Sequence, residues 1–341
     1  MGPETKPLLE DDGLIPPGIH IFNNHLNGPQ TTPFTSALSS SPPSKPRLPQ
    51  AIAHRGFKTL YPENTILAFR AALEAGAHAL ETDLHLSRDG VVVLSHDGNL
   101  KRCFGVDAKI AECDWDYLKT LQTVREPRQG MPRLEDLLEF LCEEGRSSVW
   151  VLLDIKQPYI NHCRSLLPTY PIAIISWSPL YARKFLSQPN VSFNMFQKSL
   201  VGPVGKLFIR NVRKQDRRLF VWTVNDEEWM EWSIRAEADG VITDDPELFL
   251  DVCRRWDGKR FVASSSAEGG RLVLGSEEET AVREAARKGR VRDGSWRRTL
   301  KLWVDVVGVQ VLVAVFTPVL MFAARFGLVG PGPKAQKALR L

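Results

Sequence analysis

The sequence predicts an α/β fold, a barrel or a sheet whose functional groups lie at the carboxyl ends of its strands. Three short apolar runs, at residues 51–53, 77–80 and 91–94, are each followed closely by side chains capable of chemistry. These side chains are His54, Arg55, Glu81, Asp83 and His96. Apolar residues at helical spacing separate the first two runs, so strands and helices are expected to alternate.

The types and spacing of these residues indicate phosphodiester chemistry. Glu81 and Asp83 are two residues apart on a predicted strand, so both carboxylates point to one side and suit Mg²⁺ or Ca²⁺. Two histidines can act as general acid and base, and the Arg55 guanidinium can fork onto a phosphate. Each piece also has a structural interpretation, because histidines on strands are usually core residues and a Glu-x-Asp pair is often solvated or salt-bridged.

Two helices are predicted in the first half of the chain. The first covers 64–75, with Asn64 or Thr65 as its N-terminal cap and Gly76 at its end. The second covers 133–144, where leucines recur at helical spacing. The side chains expected on its buried face are Leu134, Leu137, Leu138 and Leu141.

The second and third apolar runs are close together, so the fold is expected to be irregular there. Only residues 87–90 separate the predicted strand at 80–86 from the next one, whereas parallel neighbours need a dozen or more. Asp89 and Gly90 instead predict a tight turn. The remaining predicted elements are strands at 149–156, 172–178, 190–197, 219–226 and 239–245, helices at 179–187 and 227–237, and an amphipathic stretch at 198–216.

Several short motifs occur in one order along the chain. They are HRG at 54–56, PENT at 62–65, E-x-D at 81–83, DG at 89–90 and HD at 96–97, followed by VLLDIK at 151–156, LFVWTVND at 219–226 and DGVITDDP at 239–246. In this combination the chain resembles the glycerophosphodiester phosphodiesterase family over about residues 50–250. Its RxFKxxYPENT start, its LDIK segment and its hydrophobic C-terminal tail are similar to the fungal branch that acts as phosphatidylglycerol phospholipase C.

The resemblance implies an irregular TIM-type (β/α)8 barrel and a role for each motif residue. The implied roles are a divalent cation, Mg²⁺ or Ca²⁺, on Glu81, Asp83 and Asp154, substrate binding by Arg55, Lys156 and Trp222, and acid and base roles divided between His54 and His96. Glu63 is a further candidate carboxylate near the mouth of the site, with helix capping as its alternative.

Other residues near the motifs also have alternatives. Asp154 and Lys156 can form an ordinary ion pair at a strand end, and Trp222 can be a core residue. Asp97 either orients the adjacent imidazole or caps a turn. Asp244 either supports the site residues from behind or has a turn role before Pro246, and we predict the turn role.

One interval of the chain departs from the family pattern. Residues 157–171 alone separate Lys156 from the next apolar run, and Pro158 and Pro168 leave room for only two or three helical turns. The family has a helix, a strand and another helix in this interval. We therefore expect one βα unit to be missing and a gap beside the strand that holds Asp154, which would prevent the barrel from closing.

Composition bounds the class of protein and its compartment. The length of 341 residues permits one large domain with extensions or two domains, and the formal net charge of +4 gives no global argument for nucleic-acid binding. Five cysteines without metal-ligand spacing suit a reducing compartment. Residues 1–49 are rich in Pro, Ser, Thr and Asn, which predicts a flexible arm, and their pattern is not that of a secretory signal.

The C-terminal region is predicted to attach the enzyme to a membrane. The expected order is the barrel at 50–256, a polar and then basic linker at 257–301, a hydrophobic anchor at 302–329 and a short tail at 330–341. The uninterrupted apolar run at 306–324 has about the length of a transmembrane helix, and Pro318 would allow a kinked span or a hairpin. The basic segment before it is expected to stay cytosolic, at the ER, a lipid droplet or the mitochondrial outer membrane.

Together these features predict a phosphoric diester hydrolase. The expected reaction is metal-dependent hydrolysis of phosphatidylglycerol to diacylglycerol and glycerol 3-phosphate, with the phospholipid bilayer as partner. One alternative is hydrolysis of soluble glycerophosphodiesters or lysophospholipids. The other is an inactive membrane-tethered homologue, which the shortened interval after Lys156 keeps open.

Overall fold

The computed structural model describes residues 47–155, 171–188 and 190–261, with side chains up to residue 256. The predictions for Lys156, for the anchor at 302–329 and for most of the N-terminal arm lie outside the described residues. No helix in the described part is long and apolar enough to cross a membrane.

A single curled sheet of eight strands organises the described part. The strands are β1 (Gln50–His54), β2 (Ala79–Leu86), β3 (Val92–Leu94), β4 (Trp150–Ile155), β5 (Ile172–Ser176), β6 (Val191–Phe196), β7 (Leu219–Trp222) and β8 (Gly240–Thr243). Seven of them run parallel in the order β4-β2-β1-β8-β7-β6-β5, and β3 pairs antiparallel with β2. Their carboxyl ends therefore lie on one side, as predicted for the functional groups.

Helices connect most of these strands. They are α1 (Ile66–Glu74), α2 (Lys101–Phe104), α3 (Trp115–Leu118), α4 (Leu134–Cys142), α5 (Pro179–Ala182), α6 (Pro203–Lys214), α7 (Glu227–Arg235) and α8 (Pro246–Phe261). Thr65 caps α1, because its Oγ1 accepts a hydrogen bond from the Ala68 N–H at 3.2 Å. The predicted helix at 179–187 is shorter than expected, and its second half is a 3₁₀ turn at Arg183–Phe185.

The predicted turn between β2 and β3 is confirmed. Gly90 has a φ of 86°, a conformation that favours glycine. Ser87 Oγ accepts a hydrogen bond from the Val91 N–H at 2.8 Å and donates one to Asp89 Oδ1 at 2.6 Å. This turn makes β3 antiparallel and is the source of the predicted irregularity.

The sheet of the described residues is open between β4 and β5. Both strands are edge strands, with no backbone pairing from β4 to β5 among these residues. Leu153 and Ile155 on β4 and Ile175 on β5 are exposed, although they are apolar. Among the described residues a gap lies beside the strand of Asp154, as predicted, and the described strands form a curled half-barrel rather than a closed one.

Two large apolar clusters support the sheet on its outer side. Phe69 of α1 and Leu137 of α4 pack near β1 and β2, and Phe249 of α8 packs with the strands and helices of the second half. The predicted buried face of α4 is partly wrong, since Leu138 is exposed and Phe140 is buried. Phe140 follows Leu137 by three positions, which places both on the helix face that meets α1.

Candidate active site

A sharp turn after β1 places His54 and Arg55. Arg55 and Gly56 have φ angles of 58° and 83°, and a Cβ at Gly56 would lie 2.6 Å from the carbonyl carbon of Ala68. The Arg55 backbone N–H lies 2.9 Å from the Glu81 carbonyl oxygen and 3.1 Å from Glu81 Oε2, and it donates to both. These two hydrogen bonds hold the turn at the end of β1 against Glu81 of β2.

The three residues predicted as metal ligands lie together. One carboxylate oxygen from each of Glu81, Asp83 and Asp154 lies within 4.8 Å of the other two. Asp83 and Asp154 are register partners on β2 and β4, and Glu81 shares their side of the sheet. Burial, and then the charge of Asp83, raises the pKa of the Glu81 carboxyl well above its ordinary range. A divalent cation would offset this repulsion, so the donor set fits Mg²⁺ or Ca²⁺.

Arg55 lies between two carboxylates beside this cluster. Its Nη1 donates to Glu63 Oε1 at 2.9 Å, and its Nε lies 3.1 Å from Asp83 Oδ2. Asn64 Nδ2 donates to the same Asp83 oxygen at 3.3 Å, and Asn64 Oδ1 accepts from Thr82 Oγ1 at 2.8 Å. Glu63 is therefore a partner of Arg55, and Asn64 orients a candidate metal ligand.

His54 is held by a carboxylate on its far side. Its Nδ1 lies 2.5 Å from Asp244 Oδ1, and Asp244 also contacts Lys58 Nζ at 3.3 Å and Asn225 Nδ2 at 3.0 Å. Burial alone would raise the pKa of Asp244, but the hydrogen bond and charge of His54, together with Lys58, lower it to about 2. An ionised carboxylate only accepts hydrogen bonds. The His54 Nδ1 therefore carries a hydrogen and donates a hydrogen bond to Asp244.

The other ring nitrogen of His54 is consequently free to accept a proton. Burial lowers the pKa of His54 below its ordinary value, although its hydrogen bond with Asp244 opposes that effect. The imidazole is therefore neutral at pH 7. Its Nε2 lies 4.0 Å from Glu81 Oε2, on the side of the carboxylate cluster. This geometry is that of a general base.

His96 belongs to a second network, which is joined to Arg55 through Glu63. Its Nδ1 lies 2.7 Å from Asp97 Oδ1, and Arg102 Nε donates to Asp97 Oδ2 at 2.6 Å. Arg102 also binds both oxygens of Glu63 at 2.8 Å, and Glu63 binds Arg55. The arginines lower the pKa of Glu63 to about 2 despite its burial, and Arg102 and then His96 lower that of Asp97 to about 2. Asp97 therefore orients the imidazole.

Trp222 lies at the carboxyl end of β7 and contributes to the inner side of the sheet. It packs against an apolar cluster that includes Ile52 and Phe220, and its ring centroid lies 5.4 Å from that of Phe196. Its Nε1 donates to the Asn194 carbonyl oxygen at 3.2 Å. Both predicted roles are compatible with this position, and its pocket role stays a prediction.

Sequence reasoning missed several contributors to the site. Asp244, for which a turn role is predicted, is instead the partner of His54, and Lys58 and Asn225 hold it. The polar residues that end the strands of the TVND and TDD segments were a usable signal. Asn64 was marked by the PENT motif, although only as a candidate helix cap. Arg102 gave no signal, because arginines on short surface helices are commonly solvated.

The fold and the site together define a class of protein. The carboxylate cluster, Arg55 and His54 lie toward the carboxyl ends of parallel strands, and His96 follows the antiparallel strand β3. Carboxylates, a guanidinium and two carboxylate-oriented imidazoles are groups that suit the hydrolysis of a phosphoric diester. The family model described as "Glycerophosphoryl diester phosphodiesterase family" matches residues 54–197 and 156–248. The chain belongs to this family, and it is a phosphoric diester hydrolase.

Relatives of known description agree over the same part of the chain. A glycerophosphodiester phosphodiesterase of Caldanaerobacter subterraneus is 26% identical over 236 residues, which cover 60% of this chain and 97% of that protein. The mouse lysophospholipase D GDPD3 is 24% identical over 259 residues, which cover 57% of this chain and 78% of that protein.

Solved structures support the barrel-type fold. A glycerophosphodiester phosphodiesterase from Agrobacterium tumefaciens matches with a TM-score of 0.52 and 22% identity, over 61% of this chain and 100% of that one. A phosphodiesterase from Oleispira antarctica was solved with the product sn-glycerol-3-phosphate. It matches with a TM-score of 0.51 and 18% identity, over 61% of this chain and 97% of that one. At these identities the likeness establishes the fold alone.

Proposed function

We propose that this enzyme hydrolyses phosphatidylglycerol to diacylglycerol and glycerol 3-phosphate at a membrane surface. The observation that carries the chemistry is the carboxylate cluster of Glu81, Asp83 and Asp154, with His54 Nε2 facing it. The lipid substrate is supported by the apolar run at 306–324, because a phospholipid stays in its bilayer and its enzyme must reach it. That run also supports an intracellular membrane location with the catalytic domain in the cytosol.

The cation is proposed to be Mg²⁺ or Ca²⁺, held by Glu81, Asp83 and Asp154. When bound, such a cation neutralises phosphate charge and polarises the phosphoryl oxygens. Arg55 lies beside the cluster and supplies a guanidinium to the same phosphate. Lys156, which follows β4, is proposed as a second cationic contact.

His54 is assigned as the first base. Its Nε2 accepts the proton of the glycerol headgroup hydroxyl, whose oxygen attacks phosphorus. His96 donates a proton to the diacylglycerol oxygen as the phosphorus–oxygen bond breaks. The products of this step are diacylglycerol and a cyclic glycerol phosphate.

The roles reverse in the second step. His96, now neutral, accepts a proton from water, whose oxygen opens the cyclic phosphate. His54 returns its proton to the leaving hydroxyl, and glycerol 3-phosphate is released. Both histidines regain their starting protonation states. Their carboxylate partners, Asp244 and Asp97, keep the two imidazoles in the same orientation throughout.

A lysophospholipid or a soluble glycerophosphodiester is the second candidate substrate. The named activity of the mouse relative, lysophospholipase D, favours this class. The opening between β4 and β5 in the described part of the sheet favours the third candidate, a tethered homologue without activity.

The full chain incubated with phosphatidylglycerol vesicles separates these candidates. We expect diacylglycerol and glycerol 3-phosphate by mass spectrometry, and we expect EDTA to remove this activity and Mg²⁺ or Ca²⁺ to restore it. Release of headgroup alcohol with phosphatidic acid would contradict the phospholipase C assignment. Turnover that EDTA leaves unchanged would contradict the metal assignment. Parallel incubations with a lysophospholipid and with a soluble glycerophosphodiester test the second candidate, and no turnover of any of these three substrates would contradict an enzymatic role.

A further inference from the structure

An exposed apolar surface lies beside the site, on the β5–β6 side of the sheet. It consists of Trp177, Leu180, Tyr181, Val204 and Leu207, which are 42 to 53% exposed. We call these five residues the apolar rim. Soluble proteins rarely group large apolar side chains on their surface unless something binds there.

The topology places the apolar rim at the catalytic end of the sheet. Trp177 directly follows β5, and the two helix positions Leu180 and Tyr181 lie in α5, the next element. The chain leaves β6 on the same side, so the start of α6, with Val204 and Leu207, lies there too. Helices α5 and α6 pack against each other. The carboxyl ends of the strands, where His54 and the carboxylates lie, face the same way.

Positive charge accompanies the apolar rim. Residues 171–215 contain seven Lys and Arg residues and no Asp or Glu, whereas the whole chain has a net charge of only +4. Lys184 and Lys206 are both exposed, and Lys184 Nζ lies 5.6 Å from the ring centroid of Tyr181. Aromatic, aliphatic and basic side chains together form the combination that binds the interface of an anionic bilayer.

We infer that the apolar rim, with Lys184 and Lys206, docks the catalytic domain onto an anionic phospholipid bilayer. The docked enzyme presents the carboxyl ends of its strands to the lipid headgroups, so a substrate reaches the site without leaving the membrane completely. This inference rests on the proposed lipid substrate, but its binding step is independent of which headgroup is cleaved.

Hydrogen–deuterium exchange of the full chain tests the docking itself. We expect phosphatidylglycerol vesicles to slow exchange in α5 and in the first turn of α6, and phosphatidylcholine vesicles to have a much smaller effect. Exchange in α4 is the internal control, because exposed Leu138 there is distant in the topology from the catalytic end of β5. Unchanged exchange in α5 and α6, or equal protection by both lipids, would overturn the inference, even for a protein that cleaves neither lipid.

Variants connect docking with turnover. We expect Leu180→Ser with Leu207→Ser, and separately Lys184→Glu with Lys206→Glu, to lower hydrolysis of vesicle phosphatidylglycerol on the order of tenfold or more. Hydrolysis of soluble glycerophosphoglycerol should change less than about twofold, and all variants carry the same apolar run at 306–324. The matched controls are Leu138→Ser and Lys214→Glu, the latter at the opposite end of α6. Wild-type vesicle hydrolysis in both double variants would overturn the inference.

Discussion

The two candidate histidines of the site lie in regions that hold them differently. His54 lies at the junction of β1 and β8, and its side chain is 13% exposed. His96 lies in the segment between β3 and α2, and its side chain is 39% exposed. The first is surrounded by strands of the sheet, whereas the second depends on an ion-pair chain through Asp97, Arg102 and Glu63.

The difference suits the two roles proposed for them. A base must be neutral before the reaction, and burial keeps His54 neutral by lowering its pKa. A general acid must give its proton to the leaving group at the open side of the site. His96 suits this role because its side chain is more exposed than that of His54. The sheet around His54 therefore fixes its environment. The orientation of the more exposed His96 depends instead on the ion pairs of Asp97, Arg102 and Glu63.

Removing either imidazole gives the largest expected effect. We expect His54→Ala and His96→Ala each to lower kcat by about 10²–10⁴-fold, because each removes one proton-transfer group. Circular dichroism should show an unchanged fold in both variants. His78→Ala, a histidine whose Nδ1 accepts from the Ala51 N–H, is a control for loss of an imidazole outside the site. Activity near wild type in His54→Ala or His96→Ala would refute the role of that residue.

The two carboxylate partners give the next effect and separate the two regions. We expect Asp244→Asn to lower kcat by about 10³-fold, because an amide no longer fixes the proton on Nδ1 of His54. Asp97→Asn should cost about tenfold, since His96 is more exposed and solvent can replace part of the contact. Equal losses would show that burial does not distinguish the two pairs.

The pH profile gives Asp244→Asn a signature of its own. The hydrogen bond and charge of Asp244 raise the pKa of His54 and partly oppose burial. Their removal lowers that pKa further, so the acid limb of kcat/KM should move to lower pH in the variant. A purely structural role for Asp244 would leave the limb in place.

Much of the fold and site followed from the sequence because their signals are local. Strand-end residues such as His54, Glu81 and Asp83 are indicated by the apolar runs before them. The gap beside the strand of Asp154, seen among the described residues, is indicated by the short interval at 157–171. Asp244 pairs with His54 across 190 positions, a contact that arises only when β8 closes against β1. Arg102 likewise acquires its role because α2 lies against Glu63, which is 39 positions earlier in the chain. Such long-range pairings have no periodic signature.

Arg102 connects the two regions, and its replacement is expected to lower activity no more than Asp97→Asn does. Arg102→Gln removes the cation shared by Glu63 and Asp97, and we expect about a tenfold lower kcat and a free energy of unfolding lowered by about 1–2 kcal/mol at pH 7. Arg102→Lys keeps the charge without the fork, so it should recover part of the stability and less of the activity. The control is Arg128→Gln, which removes an exposed ion pair with Glu126. It should lower neither kcat nor the free energy of unfolding.

The pH dependence of that stability loss identifies its origin. Arg102 helps to lower the pKa of Glu63 from 4.5 to about 2, so the stability it contributes is fully present above 4.5 and disappears as the pH falls toward 2. The difference in unfolding free energy between wild type and Arg102→Gln should therefore shrink over this window in denaturant titrations. A difference that stays constant from pH 6 to pH 3 would mean that Arg102 stabilises the fold by packing alone, and that His96 is oriented by Asp97 without the ion-pair chain behind it.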